Sequence, residues 1–338
     1  MILPKKYSER WKRGVERTKQ KELIEFMKEK KQKISYPQED WSKYNRNQTN
    51  EKIKILELLN LLLNNYDIPE KPYFFGRPSI PIKDIIKCCA IKVYTNLSCR
   101  KVISELGIAY DLGFINYIPH YNLINFYMRQ KWMPEIIEDL IKLSAFPFSN
   151  IDTHFAIDST GFSNKRFKLW FNVRNVKTEK KKEFLKLHLI CSTDSLIVLN
   201  VKVTKGERSD SPQFKILVNE TAKNFKIEEI YADKGYSSRE NYEIVKRKGG
   251  KAFIPFKKNA TGKSKGSFEW KRAFNSWKNN PEEFNKSYHR RSLNESLFSS
   301  IKRTKLNFTR SKNFIACKNE ILLKVLCHNL VILANLKE

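Results

Sequence analysis

Three acidic residues stand where they could do chemistry together. Asp158 closes the apolar run Phe155-Ala156-Ile157 and Asp233 closes Ile227–Ala232, so each reads as the first charged residue after a short strand. Side chains at such strand ends face a sheet edge, where α/β sites form, although a single aspartate there also serves as a cap or turn residue. Glu295 belongs to a helical stretch, Tyr288-His289-Arg290-Arg291-Ser292-Leu293-Asn294-Glu295, that continues to Ile301-Lys302. On one continuous helix Tyr288, Arg291, Glu295 and Lys302 fall at about 0°, −60°, −20° and −40°, with Leu293, Leu297 and Ile301 projecting to the other side. Three carboxylates brought from distant segments to one edge would bind hard cations such as magnesium. Two ions about 3.5–4 Å apart can activate a water or a 3′-hydroxyl and stabilise the leaving oxygen. Arg291 and Lys302 would then hold phosphate. A solvated charged face is the plainer reading of the same helix.

These residues need a framework, and the hydrophobic period supplies one after Ser149. The strand into Asp158 is followed by a hairpin, Phe184–Cys191 and Leu196–Val203, turning at Thr193-Asp194-Ser195. Ser211-Pro212 opens a helix to about Lys223; then come the strand into Asp233, a helix Ser238–Lys248, a strand Ala252–Phe256, a basic loop and a long helix around Phe284–Lys305. That order predicts a mixed α/β domain. The region from Glu51 to Phe148 reads as helical throughout. Ile53, Leu56, Leu58, Leu59, Leu62 and Leu63 mark one helix, Phe75-Gly76-Arg77-Pro78 a break, and Pro81–Tyr94 the next. Ser98 is expected to cap a helix Cys99–Leu106 that Gly107 stops, and Pro119 precedes a helix Tyr121–Lys131. Short helices around a glycine turn are compatible with a helix-turn-helix DNA reader, and equally with a plain bundle. Within the polar first 50 residues, Ser8 to Lys33 reads as a charged helix, either solvated or a DNA-contacting arm. The expected domains are a basic arm 1–50, a helical domain 51–149 and an α/β domain 150–338.

Charge points to the partner. Lys and Arg number 65 against 36 Asp and Glu, a net +29 that solubility does not require and that suits a polyanion. From Asn241 to Lys318 there are 20 Lys/Arg and 5 Asp/Glu, interleaved with Phe253, Phe256, Phe268, Trp270, Phe274, Trp277 and Phe284. Such aromatics can stack on unpaired or flipped bases, with Trp270 and Trp277 the candidates, or simply pack a core. His188 and His289 could touch phosphate or be structural. The six cysteines form no C-x-x-C pair and read as buried apolar residues in a reducing compartment. Gly262-Lys263-Ser264 follows a strand but lacks the earlier glycine of a P-loop, because Lys257 stands there. No apolar run of about 20 residues and no leader segment is expected, which argues against an integral membrane or secreted protein.

Over about residues 76–335 the chain resembles the DDE transposases of prokaryotic insertion sequences. Tyr288, Arg291, Glu295 and Lys302 match every spacing of the Y-x2-R-x3-E-x6-K signature of one group of them. Asp158 matches the first acid of that family, and Asp233, in Asp-Lys-Gly-Tyr, the second. Lys186-Leu187-His188 and Asp210-Ser211-Pro212 resemble the stretches usual between them. The resemblance implies a ribonuclease H-like catalytic domain preceded by an all-α domain that binds DNA ends. It also implies catalytic, metal-ligating Asp158, Asp233 and Glu295, with Tyr288, Arg291, Lys302, His188 and Lys234 toward DNA phosphate. The implied cofactor is Mg2+, two ions per site with Mn2+ able to substitute, and no organic cofactor. The implied partners are double-stranded DNA, as terminal inverted repeats and target, and a second copy of the chain; no membrane is involved. The implied setting is the nucleoid of a prokaryotic cytoplasm. Only 61 residues separate Asp233 from Glu295, so the large insertion domain of some relatives is absent and a hairpin step that depends on it is not implied.

Two other functions fit the residues. A magnesium-dependent nuclease on the same fold would cut without joining, and a DNA-binding protein derived from a transposase would bind without cutting.

Overall fold

In the computed structural model, residues 41–68, 80–163 and 184–336 are described. The charged helix expected over Ser8–Lys33 and the break at Phe75–Pro78 lie outside them. The chain divides into two compact units, Met1–Pro147 together with Asn313–Glu338, and Phe148–Lys312.

The first unit is helical. It contains α1 (Trp41–Asn64), α2 (Ile82–Tyr94), α3 (Val102–Asp111), α4 (Tyr121–Tyr127), α5 (Met133–Ala145) and α11 (Phe314–Leu336). In α1 the buried Ile55, Leu56, Leu58, Leu59, Leu62 and Leu63 form the stripe that the sequence period predicts, while Ile53 is exposed. The helix starts at Trp41, so a domain boundary at residue 50 would cut through it. Helix α11 is apolar all round and packs against α5, α1 and α2, with Ile321, Leu322, Val325, Leu326 and Leu330 fully buried. A helix apolar on every side has to be surrounded. It is the one helix among the described residues long and apolar enough to cross a membrane, and 78% of its apolar window is buried inside the protein. Asn319 donates to the Met128 carbonyl at 3.0 Å and Asn329 to Ser144 Oγ at 2.9 Å, so both interior amide nitrogens find an acceptor. The division expected from sequence gave this helix to the α/β domain; it belongs to the helical unit instead.

Two further expectations change here. Helix α3 does not stop at Gly107, which lies inside it, but before Gly113 at φ 75°. Gly113 N–H donates to the Tyr110 carbonyl and Phe114 N–H to that of Ala109, the paired bonds of a Schellman cap. The connection to α4 then runs over residues 112–120, longer than the three to four residues that turn a helix-turn-helix. Its start is pinned from below, where Lys87 donates to the Phe114 carbonyl and Asp84 accepts from the Asn116 N–H and side-chain amide.

The second unit is built on β1 (His154–Ser163), β2 (Phe184–Ser192), β3 (Val198–Lys205), β4 (Glu229–Ala232) and β5 (Lys251–Phe253), in the order β3-β2-β1-β4-β5. The β3-β2-β1 part is antiparallel; β4 and β5 add in parallel. Helices α6 (Ser211–Thr221), α7 (Arg239–Arg247), α8 (Phe268–Asn279), α9 (Pro281–Tyr288) and α10 (Leu293–Lys305) complete it. This is a mixed five-stranded sheet flanked by helices, consistent with a ribonuclease H-like core and preceded by a helical region. Successive residues of β1 face opposite ways. Phe155 meets Phe225, just beyond α6, on one face, while Ala156, Asp158 and Phe162 look toward α10 on the other. Both faces are therefore covered, and Phe155, Ala156 and Ile157 are all fully buried.

The long helix expected around Phe284–Lys305 is broken into α9, a 3-10 turn His289–Ser292, and α10. The buried side of α10 is Asn294, Leu297, Phe298, Ile301 and Lys305, with Leu293 only half-buried.

Candidate active site

The parallel register between β1 and β4 fixes the two aspartates. Ile157 pairs with Ala232, the last residue of β4, so Asp158 and Asp233 each follow that pair by one residue. The chain leaves β1 toward β2 and β3 on one side and returns through α6 to β4 on the other. The carboxyl ends of these adjoining parallel strands thus form a topological switch point. Asp158 does not end its strand, as the sequence suggests. It lies inside β1, which continues to Ser163 on antiparallel pairing with β2 after β4 has stopped. Asp233 does follow its strand and opens the 3-10 turn Lys234–Tyr236.

Glu295 comes from the first turn of α10, and one residue ties it to Asp158. Arg291 Nη1 donates to Asp158 Oδ2 at 3.0 Å and Nη2 to Glu295 Oε1 at 2.9 Å. Arg291 also lies 5.7 Å over the Tyr288 ring. Three members of the sequence signature therefore meet despite the helix break, because the 3-10 turn keeps Arg291 beside the first turn of α10. The fourth, Lys302, lies apart, its ammonium 5.6 Å over the Phe162 ring and without an ionic partner among the described residues. Asn294 anchors this helix under the sheet, accepting from Cys191 Sγ at 2.8 Å.

Charge follows from this crowding. Burial pushes the Asp158 carboxyl above the usual aspartate range, opposed by the Ser159 N–H and by Arg291 and reinforced by Asp233 and Glu295. Burial lowers Arg291, yet Tyr288, Asp158, Glu295 and Asp233 outweigh that and hold it above the ordinary arginine value. Burial also lowers Lys302. The Glu295 side chain is 66% exposed while those of Asp158 and Arg291 are 17% and 21% exposed, so the clamp has one firm arm and one weak arm. An exposed i,i+4 pair such as Arg291–Glu295 is worth only about 0.3–0.5 kcal/mol.

The donor chemistry suits a hard divalent ion: carboxylates gathered so that two of them raise the proton affinity of Asp158 favour a cation among them. The present arrangement does not close into a ligand set. Among the described residues no three His, Cys, Asp or Glu side chains are grouped to hold a metal ion. The guanidinium of Arg291 already bridges two of the acids.

The other phosphate candidates divide. Lys234 is exposed beside Asp233. His188 pairs with Ser159 in the sheet, one position along from Asp158, and so points to the opposite face. Its side chain is fully buried, its Nε2 lies 2.9 Å from Thr204 Oγ1 and its Nδ1 3.5 Å from Asp210 Oδ1. It is not presented to a phosphate. Burial drives it down to about 4, against the pull of Asp210, so it is neutral. Lys186 completes that cluster, donating to Asp210 at 2.9 Å. Sequence reasoning gave no role to Tyr236, which is buried; burial first, then Asp210, Asp158 and Asp233, raise its hydroxyl far above the phenol range. Its signal was its place in Asp233-Lys234-Gly235-Tyr236. Of the two expectations for Trp270 and Trp277, base stacking or core packing, both rings are found in a cluster with Phe256.

Among curated proteins none matches the chain. Among solved structures, the piggyBac transposase in a cryo-EM synaptic complex with hairpin DNA aligns over 84% of this chain and 72% of its own, at 11% identity and a TM-score of 0.39. A likeness that loose carries no argument. The profile of the family described as Transposase DDE domain matches residues 149–330, a span that holds Asp158, Asp233, Glu295 and the four-residue signature. With more than half of its length matched, the chain belongs to the Transposase DDE domain family.

Proposed function

We propose that this chain is a DNA transposase that binds the terminal inverted repeats of its insertion sequence and carries out strand cleavage and strand transfer, with Asp158, Asp233 and Glu295 as catalytic acids. The observation that carries this reading is the Ile157–Ala232 register, which makes Asp158 and Asp233 neighbours, with Arg291 drawing Glu295 to Asp158. Family membership supports the same reading.

A divalent cation held by Asp158, Asp233 and Glu295 would supply Lewis-acid activation of a water or 3′-hydroxyl. The rest falls to the chain's own side chains. Arg291 has a planar fork able to leave its weakly held Glu295 arm for a phosphate, and Tyr288 supports that fork from beneath. Lys302 and Lys234 add point charges for the backbone on either side of the acids. Two copies acting on the two ends, on nucleoid DNA in a prokaryotic cytoplasm, complete the proposal.

A supercoiled plasmid carrying both element ends, incubated with the protein and Mg2+, tests it. Nicks at the ends followed by joined products are expected. Cutting without joining would instead assign a nuclease on this fold, and end binding without cutting a DNA-binding derivative of a transposase.

A further inference from the structure

The loop between β5 and α8 is held from beneath more firmly than an exposed basic loop requires. Arg239 donates through Nε to the Ser264 carbonyl at 3.1 Å and through Nη2 to that of Lys263 at 3.0 Å, and lies 4.7 Å over the Trp270 ring. Trp270 Nε1 donates to the Thr261 carbonyl at 2.8 Å, and Trp270 itself is buried against Tyr242 and Phe256. Ser267 caps α8 by accepting from the Trp270 N–H at 3.0 Å and donates its own hydroxyl to Glu243 at 2.6 Å. Lys265 and Gly266 both have positive φ, 43° and 87°, which makes the tight reversal into the helix. Gly262 passes so close to the Phe274 ring that a Cβ there would come within 2.8 Å of it.

This framework displays cations and one aromatic. Lys257, Lys258, Lys263, Lys265 and Lys271 are exposed, and among the described residues their ammonium groups have no ionic or hydrogen-bonded partner. Among them Phe268, the first residue of α8, is 84% exposed, more than any other large apolar side chain described. Its neighbours Trp270 and Phe274 turn inward, so Phe268 is not a core residue left half-covered. A membrane surface would call for a broader apolar face than one ring. A single ring among unpaired cations complements a polyanion that itself carries an exposed planar apolar face, which describes a nucleic-acid strand with an unstacked base.

We propose that residues 257–271 form a DNA-contacting surface that recognises an unpaired or flipped base by stacking on Phe268, with the five lysines on the flanking phosphates. This rests on the DNA-transposase reading and adds the state of the DNA that the surface takes.

The test is fluorescence anisotropy of the full chain with two labelled duplexes of one sequence, one fully paired and one with a single bulged nucleotide. Wild type should prefer the bulged duplex by about tenfold, the size expected from one stacked base. Phe268→Ala should remove that preference and leave paired binding unchanged, while Phe268→Trp should keep it. Changing the five lysines to Gln together should weaken both duplexes and flatten the salt dependence by roughly four in log–log slope. A preference that survives Phe268→Ala overturns the proposal. So does an unchanged salt slope, or stronger binding to anionic phosphatidylserine vesicles lost in the same variants. Wild type that binds neither duplex overturns the transposase reading itself, a different outcome from a Phe268→Ala protein that still discriminates.

Discussion

The β1–β2 pair carries a polar cluster on each face, and the two differ in the group that each adds to its ion pair: an exposed Glu295 on one, a fully buried His188 on the other. Toward α10, Asp158, Arg291 and Glu295 form a clamp with one arm in solvent. Toward α6, His188, Lys186 and Asp210 form a cluster around an imidazole with no exposed surface. Asp158 and Ser159, or Leu189 and His188, are adjacent in sequence, yet strand alternation commits one of each pair to each face. Charge that is only partly desolvated can still exchange its partner for a ligand. On the other face only the neutral imidazole is sealed from substrate, since Lys186 and Asp210, at 19% and 29% exposed, are no more covered than Asp158 and Arg291.

That difference can be broken at either face. The largest effect is expected on the open side. Asp158→Asn, Asp233→Asn or Glu295→Gln should each reduce DNA cleavage by at least about 10²–10³-fold, the usual cost of one charge-stabilising group, with end binding largely kept. Rates of single-turnover cleavage beside equilibrium binding check this, and full activity in any variant would remove that acid from the site.

The closed face should announce itself in stability. The folded protein holds His188 neutral down to about pH 4, whereas the unfolded chain takes up the proton near 6.5. The contribution is therefore complete above about pH 6.5 and is lost as pH falls toward 4, a span worth roughly 3 kcal/mol. Denaturant melts between pH 7 and 4 should show His188→Gln losing that part of the slope. An unchanged slope would mean that the ring is not sealed.

Smaller effects sharpen the open side. Arg291→Gln removes the cation already bridging two acids, so Mn2+ should bind the DNA-free protein severalfold more tightly by calorimetry. Equal or weaker binding would show that Arg291 helps to build the cation site. Lys302→Ala should cost a few-fold in DNA affinity and lower the salt slope by about one, as for one lost phosphate contact.

Much of this architecture was legible. Asp158 and Asp233 each follow a short apolar strand, and two such strands side by side need only a matched register to bring the acids together. Other features had no sequence mark. The apolar run ends the strand at Asp158, and only pairing with β2 carries β1 on through Ser159-Thr160-Gly161. The motif around His188 leaves a phosphate contact and a structural role both open, because its face depends on the parity of its register with Asp158. Gly107 and Gly113 are alike on paper; helix phase puts only Gly113 in the left-handed cap. Helix α11 is apolar on all sides, so its pattern did not say which unit would surround it. The break at His289–Ser292 contains no proline or glycine, yet the signature survives it because its contacts run through Arg291 to the sheet.

The central claim is that Asp158, Asp233 and Glu295 act as one site on DNA. It is tested most directly by divalent-cation-dependent cleavage of DNA carrying the element's own ends, wild type against Glu295→Gln. Cutting at the end boundary by wild type alone is the predicted result. Equal cutting by both proteins, or binding without cutting by both, would contradict it.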